Sequence, residues 1–462
     1  MTREISKLRF DALAGYTRSP HMVLITQEAA WFEVGGERLL GVIVWDRFDY
    51  DYGWVVLGRD QRGRFRAIMQ DASLPSFSAA REALDLSMEM HVQQPSEAYH
   101  QGDEVGPPID FFGPHARPGR RHPSFMTLIG ERRFSPACEL IAAMMPFYED
   151  ADGNFVEQFQ TAGFDARFWE LYLYAAFVEL GYAPRTDVAV PDLLLEGPLG
   201  RLAIEATTSN APQGRVMEVP READALRLYL ENYVPKKLGR ALKTKLYHKN
   251  RYWRAPGVDD APFVIALQDF HAPAAMAGIV PAATEYVFGV RHSIVAGERR
   301  IEWINEHVYE GVREPSGFFR LPESENVSAV FVNPLGTLTK FNRLGYLAGF
   351  GDRGVRMVRS GIARGEQDAD DPRPWQFHQD VADPDYRETW IEGAVVLHNP
   401  NARIPLDPDQ IPGAAHDFMR SDGALFSMLP DFQPYMSRTS VALAGDEQTY
   451  DDVAPGEPEA GS

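Results

Sequence analysis

Three acidic residues, Glu170, Asp192 and Glu205, hold the chemistry this sequence offers. Asp192 follows Pro191 in the stretch VAVPDLLLEG, and Glu205 begins Glu-Ala-Thr in RLAIEATTSN. Both stretches are short, rich in Val, Leu and Ile, and separated by Gly-Pro-Leu-Gly, the pattern of two strands joined by a turn. Adjacent strands lie about 4.8 Å apart, so carboxylates on the two can converge on one point. Two hard oxygen ligands with a backbone carbonyl suit Mg²⁺. Glu170 sits within the apolar run FDARFWELYLYAAFVEL. A carboxylate there needs a cation, a strong donor or a raised pKa.

The elements that must position these groups are legible. Phe164, Phe168, Leu171, Ala175 and Val178 recur at helical steps and form one face. Trp169, Leu173 and Phe177 make the opposite face apolar as well, which predicts a largely buried helix ending near Gly181. The spacing puts Asp192 near the start of the first strand and Glu205 at the end of the second. Beyond Asn210 a polar loop precedes READALRLYLENYV and KKLGRALKTKLYHKNRYW, both helical, with a break at Pro235. Leu238, Leu242 and Leu246 form the buried stripe of the second. Ala261–Phe270, APFVIALQDF, has the composition of a central buried strand.

Glu170, Pro191-Asp192 and Glu205-Ala206-Thr207, in that order of elements, resemble the PD-(D/E)xK nuclease superfamily from about Phe164 to His271. The resemblance implies an α/β fold with a restriction-endonuclease-like mixed-sheet core flanked by helices. It implies metal-dependent hydrolysis of phosphodiester bonds in DNA, with Mg²⁺ or Mn²⁺ held by Asp192, Glu205, the Ala206 carbonyl and Glu170. This chain departs from the motif at its lysine, where it has Thr207. In the family the helix after the Glu strand runs beside the metal, so the missing ammonium is expected from that helix, from Lys245 first and Lys243 second. Thr207 also leaves open a second outcome: a catalytically inactive nuclease-like core serving as a binding or adaptor component of a defence or repair assembly.

The same helix carries a basic run. Lys236, Lys237, Arg240, Lys243, Lys245, Lys249, Arg251 and Arg254 occur with no acidic residue among them. It is either a solvated helix face or a phosphate-binding patch, in which Lys236, Lys237, Arg240, Lys243, Lys249 and Arg251 touch nucleic acid. The whole chain has a formal charge of −20, which argues against non-specific nucleic-acid binding by its surface at large. A local basic patch on an acidic body still gives a modest, salt-sensitive affinity.

The length of 462 residues suffices for two or three domains. Residues 1–98 predict a small antiparallel α+β domain, a meander of AAWFEVGG, ERLLGVIVWDRF, YGWVVLGRD and GRFRAIMQ with a helix over Phe77–Met90. It has no catalytic signature and is a candidate surface for a protein partner. Its Asp46, Asp49 and Asp51 match no calcium-loop spacing. Residues 99–130, rich in Pro, Gly and Arg, form a linker or irregular arm. A helix is expected over Ser135–Tyr148, within a nuclease-like domain over 131–440. Residues 445–462 are acidic and aperiodic, and are expected to be disordered.

Other candidates have plainer explanations. His271, at a strand end, is a general base or, by preference, a structural histidine. Lys340, Asn342 and Arg343 in Thr337–Gly351 either contact phosphate or belong to a helix pinned by its aromatics. His398-Asn399 lacks the ββα context of a His-Asn nuclease. One cysteine, Cys138, excludes an internal disulfide and points to a reducing, cytoplasmic compartment. A charged N-terminus without an apolar segment predicts no signal peptide, and no run of about 18 apolar residues predicts a membrane span.

Overall fold

The computed structural model describes residues 1–150, 153–185, 190–211, 218–295, 298–365 and 373–444. The expected acidic tail, 445–462, lies outside the described residues, as do positions 188–189 of the first predicted carboxylate strand. The fold is mixed α/β, with an eight-stranded mixed sheet, a five-stranded antiparallel sheet and a smaller three-stranded one.

The five-stranded sheet is N-terminal, and its strands neighbour one another in chain order. Thr26–Val34, Leu39–Asp46, Tyr52–Arg59 and Phe65–Leu74 are the expected meander. Arg3–Ile5, too short to show a pattern, adds an edge strand beside the first of them. The helix Phe77–His91 covers one face through Ala80, Leu84 and Met88, packed on Phe32, Ile43 and Val56. The other face contributes Leu40, Val42, Leu57 and Phe65 to the main core of the molecule. The N-terminal sheet is thus fused to the rest by apolar packing.

The expected linker 99–130 is neither free nor irregular throughout: Pro123–Gly130 is an α-helix that puts Phe125 and Leu128 into the main core, and the rest is tied down. Phe111 and Phe125 are fully buried in the main core. The Gln160 side-chain amide donates to the Phe111 and Gly113 carbonyls at 2.8 and 2.7 Å and accepts from the Ala116 N–H at 3.0 Å.

The chain then runs helix, three antiparallel strands, helix, parallel strand: Phe164–Glu179, Ala183–Pro184, Leu193–Gly197, Gly200–Asn210, Val234–Leu246, Phe263–Phe270. Ala329–Val332 extends this sheet in parallel, and Val395–His398, Ala415–Met419 and Leu425–Met428 complete it. Phe263–Phe270 is flanked on both sides and buried on both faces, as its composition requires. Even-numbered Leu202, Ile204 and Ala206 face the Phe164–Glu179 helix. Odd-numbered Ala203 faces the layer of Val234–Leu246 and Ile279–Phe288, together with Leu194.

Two local features hold the second helical layer. The break expected at Pro235 is a π-helical turn, Tyr229–Tyr233, with Pro235 in the first turn of Val234–Leu246, where its missing N–H is harmless. The helix ends at Leu246, short of the predicted Trp253. Gly239 lets it approach the next helix: a Cβ there would lie 2.2 Å from Cζ of the buried Tyr286.

Candidate active site

Asp192 and Glu205 come together because the hairpin register puts them opposite one another. Leu193 pairs with Ile204 and Leu194 with Ala203, so the next cross-strand step joins Asp192 to Glu205. The Asp192 N–H donates to Glu205 Oε2 at 3.3 Å, and the Ala206 N–H donates to Asp192 Oδ2 at 2.8 Å. Glu205 is not at a strand end, as the sequence suggested: its strand continues to Asn210, paired with Phe263–Phe270. It is instead the first residue past the end of the neighbouring strand. Pairing to the Leu193–Gly197 strand stops there, and this opens room for a polar cluster inside a sheet.

Glu205 is buried, and its carboxyl is pushed up to about 7 by loss of solvent and by the Asp192 charge, against the pull of Lys245. The Tyr252 hydroxyl lies against it. Asp192 is open to solvent on one side. The protein around it still raises its carboxyl, while Lys245, the Ala206 N–H and Arg167 oppose the shift.

Glu170 approaches from the helix on the opposite face of the sheet. Its carboxylate accepts from Arg167 Nη1 at 2.8 and 3.1 Å, one helical turn back. Arg167 is itself held by the Gln158 side-chain oxygen at 2.8 Å and that of Asn154 at 3.1 Å. Burial and the nearby Asp192 lift Glu170 to about 7 despite this partner. The demand read from the sequence, a cation or a raised pKa, is met by both.

Lys245 Nζ lies 2.5 Å from Glu205 Oε1. Lys243, the second choice, turns to the buried Glu314 instead, at 2.5 Å. Thr207 follows Glu205 on the same face of the strand, where its short side chain brings no charge.

The rest of the basic run is dispersed. Lys236 is buried against the rings of Tyr233 and Tyr309, and its ammonium donates to the Tyr309 carbonyl at 3.4 Å. Lys237 donates to the Asn210 carbonyl at 2.6 Å, and Arg251 pairs with Glu323 at 2.8 Å. Arg240 and Lys249 are exposed. The helix turns only part of this run outward because its leucine stripe must face the sheet.

A cleft of about 630 Å³ opens in front of Glu170 and Asp192, and both line it. Its far wall belongs to the N-terminal sheet: Arg62, Arg64 and Arg66, with Asp103 nearby. Sequence reasoning passed over these arginines. The arginines stand at alternate positions in RGRFR, but Arg62 and Arg64 belong to the turn before the Phe65–Leu74 strand, where strand periodicity does not assign a face.

The other sequence candidates lie elsewhere. His271 is buried, with Nδ1 at 2.7 Å from Asp269 Oδ1 and the Tyr229 hydroxyl on its other nitrogen, a structural arrangement. The phosphate-contact reading of Lys340, Asn342 and Arg343 is corrected: all three are buried. Arg343 makes two 2.7 Å bonds to Glu388, and Lys340 lies 3.5 Å from the same carboxylate. The Asn342 side chain binds the Arg133 carbonyl at 2.9 Å and the Ala137 N–H at 3.2 Å. His398 is buried beside His416, their ring nitrogens 2.8 Å apart, and this lowers it to about 3. Asp46 caps its own hairpin tip through the Phe48 and Asp49 N–H groups at 2.8 and 3.1 Å.

Asp192, Glu205, Glu170 and the Ala206 carbonyl are all hard oxygen donors, the set a small divalent cation takes. As the side chains stand, no group of three or more His, Cys, Asp or Glu among the described residues is arranged around an ion position. The reason is visible: Lys245 holds Glu205, the Ala206 N–H holds Asp192 and Arg167 holds Glu170. Among the described residues no helix is long and apolar enough to cross a membrane. No protein-family model, curated protein or solved structure matches this chain.

Proposed function

We propose that this protein is a metal-dependent hydrolase of phosphodiester bonds in nucleic acid, DNA by first choice, on a restriction-endonuclease-like core. The observation that carries the proposal is the cross-strand pair of Asp192 and Glu205 with Lys245 against it. The succession of helix, three antiparallel strands, helix and parallel strand around that pair supports it. So do the burial and the neighbouring Asp192 charge that lift Glu170, at the cleft, and Glu205, behind it, to about 7, since strongly perturbed carboxyls are a mark of functional sites.

A hard divalent cation such as Mg²⁺ or Mn²⁺, held by Asp192 and Glu205 with Glu170 and the Ala206 carbonyl, would polarise the phosphate and acidify a bound water. The chain's own groups do the rest. Arg167 orients Glu170, which completes the site directly or through a water. Water oxygen bonds to phosphorus and gives up a proton, the bond to the leaving oxygen breaks, and that oxygen takes up a proton, so that water is divided between the two products. Lys245 sets Glu205 and contributes positive charge where the phosphate becomes more negative. The test is nicking of supercoiled plasmid with Mn²⁺ by the parent, Asp192→Asn and Glu205→Gln. Loss of nicking in both folded variants supports the proposal; nicking at the parental rate by both refutes the site.

A second reading has its own observation. With Thr207 in the motif and each carboxylate already partnered, the core can serve as a nuclease-like binding or adaptor module that cuts nothing. Calorimetric titration with Mn²⁺ separates the two, because an adaptor shows no binding that Asp192→Asn removes.

A further inference from the structure

Asp60 organises an arginine stripe across the cleft from the carboxylates. It is fully buried and accepts from the Arg62 and Arg64 backbone N–H groups, both at 2.9 Å, and from Arg64 Nε at 2.8 Å. This anchors the stripe from behind. On the cleft side the partners are solvent-facing: Glu149, 2.8 Å from Arg62 and 3.7 Å from Arg64, and Asp103, 2.5 Å from Arg66. The side chains of Glu149 and Asp103 are 37% and 63% exposed, so another anion can displace them without burying an unpaired charge. Arg62 and Arg64 lie in the turn that leads into the Phe65–Leu74 strand, Arg66 is its second residue, and all three line the cleft. Guanidinium groups favour phosphate oxygens.

Half-buried aromatic residues line the same cleft: Tyr16, Phe147 and Tyr148. A positive track with aromatic platforms beside it is the recurring device for holding single-stranded nucleic acid.

We propose that this cleft threads a single strand of nucleic acid past Asp192, with Arg62, Arg64 and Arg66 on its phosphates and Tyr16, Phe147 and Tyr148 against its bases. This rests on the phosphodiester reading of the carboxylate site and adds the strand state of the substrate. Glu149 then occupies a phosphate position in the free protein and must leave it when a strand binds.

The experiment is fluorescence anisotropy of the full chain with end-labelled oligothymidylate, oligouridylate and a hairpin duplex, titrated with salt in EDTA so that cleavage cannot intervene. The parent is expected to bind a single strand more tightly than the duplex, and the oligothymidylate and oligouridylate arms tell DNA from RNA. Arg64→Gln/Arg66→Gln is expected to lose tenfold or more in affinity. Its slope of log affinity against log salt should flatten by about 1.4, or about 0.7 per lost phosphate contact. Glu149→Gln, which removes only a solvent-facing carboxylate, is expected to bind more tightly than the parent. Equal affinity for duplex and single strand, parental binding by the double arginine variant, or no gain in Glu149→Gln would each overturn the proposal. If the parent nicks plasmid with Mn²⁺ but shows any of these results, the threading proposal fails and the hydrolase reading stands. If it neither binds nor cuts, both fail.

Discussion

The ammonium of Lys245 sits 2.5 Å from Oε1 of Glu205, while Lys243, two residues earlier on the same helix, makes an equally short contact with Glu314 on the other side. Lys245→Met should therefore lower metal-dependent cleavage by about 10²–10³, the scale for losing a charge-stabilising donor. Lys243→Met should leave cleavage near parental. Plasmid nicking under matched conditions, with thermal melts to confirm folding, decides it; equal losses in the two variants would remove Lys245 from the chemistry.

Burial and, after it, the charge of Asp192 raise both Glu170 and Glu205 from 4.5 to about 7. A carboxyl whose folded pKa is raised adds stability that is fully present below the unfolded value. That stability is lost as pH climbs through the folded value. The metal-free protein should thus lose melting temperature between about pH 4.5 and 7 on account of this pair. Asp192→Asn should flatten that loss, because it removes the charge both carboxyls share. Differential scanning fluorimetry across this window checks the slope; a parental slope in Asp192→Asn would show that the groups do not interact.

Metal should work in the opposite direction. An ion that binds only the folded state stabilises it by about 2.7 kcal/mol at a hundred times its dissociation constant. Mn²⁺ should raise the melting temperature of the parent more at pH 8 than at pH 6, since the raised carboxyls must be ionised to bind. Chelation should reverse the gain. Asp192→Ala should abolish it, and an undiminished rise in that variant would exclude these carboxylates as ligands.

Gly239 should tolerate no side chain. A Cβ would meet Tyr286, whose ring is buried and whose hydroxyl donates to Glu314 at 3.1 Å. Gly239→Ala should destabilise the protein by about 1–3 kcal/mol, the usual cost of overpacking. Because the helix it would displace carries Lys245, cleavage should fall as well. Urea denaturation measures the first effect; an unchanged midpoint would mean that the helices separate without cost.

The sequence by itself determined the elements and the carboxylate pair. Helical steps from Phe164 onward made the central helix visible. Short runs rich in Val, Leu and Ile on either side of Gly-Pro-Leu-Gly made the hairpin visible, and the observed register sets Asp192 opposite Glu205. Only the tertiary structure decided which lysine joins them. Successive residues on a helix are about 100° apart, so Lys243, just after Leu242, and Lys245, just before Leu246, flank the leucine stripe on opposite sides. Nothing in the stripe says which flank looks toward the site; that depends on how the helix lies across the sheet. The arginine wall is more distant still, since Arg62, Arg64 and Arg66 reach the cleft only because one face of the N-terminal sheet is buried in the main core. Local periodicity encodes which face of an element is apolar, but the groups at a site come from elements that meet through packing, and packing is a property of the whole chain.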